Sequence, residues 1–138
     1  VADQAPRQTA TLVIGALLSA LSYLATAAFH DSLPPFLLWQ AGLGLGGGLV
    51  AAVLPTIVVQ RAPRDSVGIA SGLYNAGRTA AGSVAGAVFA AVMSGLVITV
   101  SGKTVSAESS YVVVWIICAA LSLAVAGLSI ALARGATE

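Results

Sequence analysis

Charged side chains are scarce in this chain: Asp, Glu, Lys and Arg make up 8% of its 138 residues, against about 25% in an ordinary soluble domain. With 58% hydrophobic residues and a mean hydropathy of +0.97, a water-soluble globule is excluded. Clustered basic stripes are missing and the formal net charge is only +1, so nucleic acid is not an expected partner. The single cysteine, Cys118, has no mate for an internal disulfide and is read as a small apolar packing residue. No group of His, Asp, Glu or Cys sits at a helix end with ligand or triad spacing, so no catalytic residue, metal or cofactor is expected, and the chain is not read as an enzyme. Strict alternation of polar and apolar residues is also absent, which excludes a membrane β-barrel.

What the chain has is long uncharged runs. Ala10 to Phe29, Leu33 to Val59, Thr79 to Val100 and Tyr111 to Ala133 contain no Asp, Glu, Lys, Arg or His. A bilayer core about 30 Å thick needs roughly 20 apolar residues per helix, and each run meets that length. The expected fold is an all-α membrane protein with four transmembrane helices, spanning about residues 10–29, 34–59, 67–100 and 110–133. Arg7, the apolar stretch Leu12 to Leu24 and Ala25-Thr26-Ala27 also resemble a secretory signal peptide. The apolar run is too long and the single Arg too thin an n-region for that reading to be preferred. A first residue that is Val, and a first span reached after nine residues, suggest a piece of something larger.

Lys and Arg near helix ends are retained on the cytoplasmic side. Arg7 precedes the first span, Arg61 and Arg64 lie between the second and third, and Arg134 follows the fourth. Both termini of this segment are therefore expected in the cytoplasm, in a multi-pass protein of the inner (plasma) membrane. Phe29, Phe36, Trp39, Tyr111 and Trp115 gather near the opposite ends, as interfacial aromatics do. Pro34 and Pro35 suit the first turn of the second helix, where a missing N–H costs nothing. Ser101 to Ser110 reads as a polar, mobile outer loop.

Small residues decide where helices meet in a bilayer, because lipid tails are as apolar as Leu. Gly15 and Gly127 are the only glycines of the first and fourth runs, which are expected to be peripheral and lipid-facing. The second run carries Gly42, Gly44, Gly46, Gly47 and Gly48, giving two overlapping G-x-x-x-G spacings, and Pro55 removes the donor for the Ala51 carbonyl and should bend the helix. Gly42, Gly44 and Gly47 also spell G-x-G-x-x-G. That fingerprint needs a preceding strand and a helix N-terminus open to water, so a nucleotide site is rejected in the centre of an uncharged run. In the third span Gly68, Gly72, Asn75, Thr79, Gly82, Gly86, Ala90 and Met93 fall within about 40° of one line at 100° per residue. This small, weakly polar face is expected to pack on protein or line a cavity. Arg78 stands off that line with two readings: a boundary residue snorkelling to headgroups, or a charge turned inward toward an acid or an anionic substrate. Asn75 likewise either bonds a neighbouring helix or lines a pathway. The candidate substrate-pathway residues are Gln40, Asn75, Arg78 and Thr79.

The glycine-rich span ending in Pro55, the short basic loop Gln60 to Ser66, and Gly68-x-x-Ser71-Gly72-x-x-Asn75-x-x-Arg78-x-x-x-Gly82-x-x-x-Gly86 resemble the last helices of the major facilitator superfamily, nearest to its fourteen-span drug–proton antiporters. The resemblance implies the C-terminal part of that bundle in a proton-driven exporter that works by alternating access. Its partners would be the remaining N-terminal spans, the bilayer, protons and a small-molecule substrate. It also implies that Gly42, Gly44, Gly46, Gly48, Pro55, Gly68, Gly72, Gly82 and Gly86 serve helix packing and gating, with the second and third spans facing the central cavity. One departure stands out: Asp3, Asp31, Asp65, Glu108 and Glu138 all lie outside the uncharged runs, so no coupling carboxylate sits at membrane depth, and four spans are too few for two rocking halves. The alternative is a non-transporting four-helix scaffold or partner subunit. A small dimeric four-span exporter would carry a Glu in its first span, and Ala10 to Phe29 has none.

Overall fold

The computed structural model describes residues 4–100 and 102–135. Four helices dominate: α1 (Gln4–Ala28), α2 (Leu33–Arg61), α3 (Val67–Gly95) and α4 (Glu108–Gly135). All four are long and apolar enough to cross a membrane. At 1.5 Å per residue the 29 residues of α2 or α3 reach about 43 Å, more than the hydrocarbon core requires. Pro34 and Pro35 fall in the first turn of α2, where the sequence puts them, and Pro55 lies inside the same helix.

The third helix is shorter than expected. It stops at Gly95, and an antiparallel hairpin follows, β1 (Val97–Val100) and β2 (Lys103–Ser106), with Val97 opposite Ser106 and Val100 opposite Lys103. Val97, Ile98, Thr99 and Val100 form an unbroken β-branched run, which loses side-chain freedom in a helix and suits a pleated strand. Gly102 turns the hairpin with φ at +77°, the left-handed region open to glycine. The segment read as a polar loop therefore holds β2, Gly102 and the start of α4.

The helix arrangement overturns one expectation. The first span was expected at the lipid-facing periphery, yet α1 lies between α2 and α4 and supplies most of the buried residues: Leu12, Gly15, Ala16, Ser19, Ala20, Ser22, Ala25 and Thr26. α4, also expected at the periphery, buries Ser110, Ala119 and Ala126 within the bundle. The physical reason is that alanine and serine permit close helix approach as glycine does, and α1 carries them at three- and four-residue spacing along its length. α3 takes the outer position, touching α2 and α4 lightly and burying no residue.

The α1–α2 seam brings two helix backbones into direct contact. A Cβ built on Gly46 would lie 2.7 Å from the Gly15 carbonyl oxygen and 2.8 Å from the Ser19 nitrogen, and one built on Gly15 would lie 2.8 Å from the Gly46 carbonyl oxygen. Gly42 sits against the Ser22 hydroxyl in the same way. So the Gly42-x-x-x-Gly46 spacing forms the seam, whereas Gly44 and Gly48 have open space beside them. Three hydroxyls inside the bundle are satisfied locally, while that of Ser22 is buried without a partner. Ser19 donates to the Gly15 carbonyl at 2.9 Å, Thr26 to Ser22 at 2.8 Å and Ser122 to Cys118 at 2.8 Å, the back-bonding to the preceding turn that lets Ser and Thr enter an apolar interior. At the end bearing the N-terminus of α1, Gln8 Nε2 donates to Gln60 Oε1 at 2.8 Å and ties α1 to α2.

Candidate functional site

Because α3 stands off from the other helices, a cleft of about 680 Å³ opens between it and the α1–α2–α4 core. That volume lies in the range of small-molecule sites, which are mostly apolar with a few polar groups. Leu43, Leu54, Leu73 and Val125 supply apolar wall, and Ser19, Tyr23, Tyr74, Arg78 and Ser122 supply the polar groups. The helical period explains the membership: Leu43, Gly47, Val50, Ala51 and Leu54 recur at three- and four-residue steps on α2, and Tyr74, Gly77, Arg78 and Ala81 on α3. Gly47 leaves the cleft open where a side chain would project into it.

Of the four residues named as a substrate pathway, only Arg78 lines this cleft. Gln40, Asn75 and Thr79 are exposed and lie outside it, and the Thr79 hydroxyl donates to the Asn75 carbonyl at 3.0 Å. The glycine line that Asn75 and Thr79 share is uncovered: Gly68, Gly72, Gly82 and Gly86 have nothing within 4 Å of a built Cβ. Arg78 pairs with no carboxylate among the described residues. The shortened helix also bears on its position. From Thr79 to Gly95 the helix measures about 26 Å, less than the roughly 30 Å core, so the part beyond Arg78 no longer crosses unaided as the run to Val100 would.

The sequence offered no pointer to Tyr23 or Ser122, because their role depends on α1 and α4 flanking the cleft. Tyr74 had a signal, being one turn from Arg78 on the same face. Tyr23 of α1 and Cys118 of α4 lie beside each other near the cleft. A second cavity of about 960 Å³ adjoins the first at Leu54 and Val125 and runs toward Arg61.

One polar cluster lies away from the cleft. His30, Asp31 and Glu108 offer donor atoms all within 4.8 Å of one another, at the hairpin end of the bundle. The sequence reading found no such group because 78 residues separate His30 from Glu108. No known protein family, curated protein or solved structure matches this chain.

Proposed function

We propose that the chain is the C-terminal four-helix part of a secondary transporter of the inner membrane, resembling the drug–proton antiporters of the major facilitator superfamily, and that it serves proton-driven efflux of small molecules by alternating access. In this reading the Arg61 and Arg64 loop and both ends of the segment face the cytoplasm, and the hairpin faces outward. One observation carries it: α3 is long and apolar enough to span a bilayer, yet it buries none of its residues, and its Gly68-Gly72-Gly82-Gly86 line is open. A glycine line of that length is suited to close backbone contact with further helices, which the N-terminal spans of a transporter would supply. Arg78 and Tyr74, on an adjacent strip of the same helix, supply polar groups to the cleft.

The test uses the complete coding sequence upstream of Val1 and an efflux assay on the protein it encodes. Eight to ten further apolar spans with an intramembrane acid are expected on the resemblance. Gly82→Leu and Gly86→Leu should each abolish efflux while membrane insertion persists. Unchanged efflux in both variants would remove the packed glycine line from the mechanism, and an isolated four-span reading frame would favour the scaffold.

A further inference from the structure

His30 sits in the short connection between α1 and α2, and both of its ring nitrogens face acceptors. Nδ1 lies 3.0 Å from the Ala27 carbonyl oxygen and Nε2 lies 2.6 Å from Glu108 Oε1, with Asp31 Oδ1 at 4.0 Å. A neutral imidazole has one N–H and can satisfy only one of these contacts. The Ala27 carbonyl has no proton to give, so Nδ1 must be the donor there. A second proton must then lie between Nε2 and Glu108 Oε1, whichever of the two atoms holds it. The 2.6 Å separation is even shorter than the roughly 2.7–2.9 Å of a charge-assisted N–H···O hydrogen bond, which requires a proton between the two atoms.

Two further features favour a positive ring at this place. The Trp115 ring lies 5.4 Å away, centroid to centroid and tilted by 55°, within the range at which an indole attracts a cation. Glu108 stands in the first turn of α4, where the helix dipole stabilises its negative charge. Against them stands partial desolvation, since the His30 side chain is only 20% exposed, whereas Asp31 and Glu108 are 89% and 75% exposed. The charged groups facing His30 are thus Glu108 from α4 and Asp31 from its own loop, and α1 presents the Ala27 carbonyl. No cation among the described residues is recorded against it.

We propose that His30 and Glu108 form a proton-binding site that clasps the α1–α2 connection to the start of α4 and lets go when the proton leaves. The bound species is a single proton. Its loss leaves one N–H for two acceptors; with that N–H held on Nδ1 by the Ala27 carbonyl, a lone pair and a carboxylate face each other at 2.6 Å, which drives the two groups apart. The hydrogen bond to Glu108 first, then the Ala27 carbonyl and the charges of Asp31 and Glu108, raise the His30 pKa above its ordinary 6.5, outweighing partial desolvation. The sign follows from that direction: a group with a raised folded-state pKa contributes its stability fully below about 6.5, and that contribution is lost as pH rises through the raised midpoint. The clasp is independent of whether the chain transports.

His30 is the only histidine, so labelled histidine in the protein reconstituted into lipid nanodiscs reports this site alone. Nitrogen and carbon shifts of the ring are followed against pH, and both nitrogens are expected to be protonated below a single midpoint that lies above 6.5. Glu108→Gln should move that midpoint down. In a Cys118→Ser background, spin labels at Ser32→Cys and Ser109→Cys should give a narrow distance distribution below the midpoint and a broad one above it. A wild-type midpoint at or below 6.5 would overturn the proposal and requires no variant to fold. So would label distances that ignore pH. Zinc that displaces the proton at micromolar concentration while keeping the labels together would assign the site to a metal and equally refute it.

Discussion

Replacing Gly46 by Ala tests the architecture most directly, because it adds one methyl group at the closest approach of two backbones. The new Cβ would stand 2.7 Å from the Gly15 carbonyl oxygen and 2.8 Å from the Ser19 nitrogen. Neither neighbour can rotate away, as both belong to the main chain of α1. To reach ordinary contact at 3.4 Å the two helices must separate by about 0.7 Å at this point. Overpacking of this kind costs about 1–3 kcal/mol. Gly44→Ala is the internal control, since it adds the same methyl group one turn-half away with nothing within 4 Å. Unfolding in mixed micelles of increasing denaturing detergent, followed by circular dichroism and by Trp39 and Trp115 fluorescence, measures both. Gly46→Ala should shift the transition to lower detergent, and Gly44→Ala should leave it in place or raise it. Equal stability of the two variants would show that α1 and α2 do not meet at this seam.

Gly42→Ala meets only the Ser22 hydroxyl, which is buried without a hydrogen-bond partner, so Ser22→Ala should rescue it and the pair should be less destabilised than the sum of the single changes in the same detergent titration. Gly102→Ala puts a side chain on a residue with φ of +77° and should weaken the hairpin by about 1–2 kcal/mol, seen as faster amide exchange from Lys103 to Ser106 with the helices unaffected. Tyr23→Phe removes the hydroxyl beside Cys118 and should speed maleimide labelling of that thiol; an unchanged rate would show that the phenol does not shield it.

The helices were legible because their signal is local: a run such as Tyr111 to Ala133, free of charge for longer than a bilayer is thick, has one outcome in lipid. The Gly42 and Gly46 spacing was legible for the same reason, being written on one helix face. The position of α1 was hidden by attention to glycine alone, although Gly15, Ser19, Ser22 and Thr26 trace a comparable line of small residues. Hydropathy counted Val97 to Val100 as helix, since it weighs side-chain transfer and ignores the backbone preference of β-branched residues. Arg78 was visible as a charge within a small-residue helix, but Tyr23 and Ser122 reach the cleft only through tertiary arrangement. The meeting of His30 with Glu108 joins points 78 residues apart and leaves no periodic trace in the chain.

The place of α1 between its sequence neighbour α2 and the distant α4 has a consequence for biogenesis. As the chain emerges, α1 and α2 can join as a hairpin at once, but the second flank of α1 stays empty until α4 leaves the ribosome, after α3 has already been made. The alanine and serine edge awaiting α4 is thus the part of this nascent segment most in need of temporary shelter, and the last made of these four helices is the one that covers it.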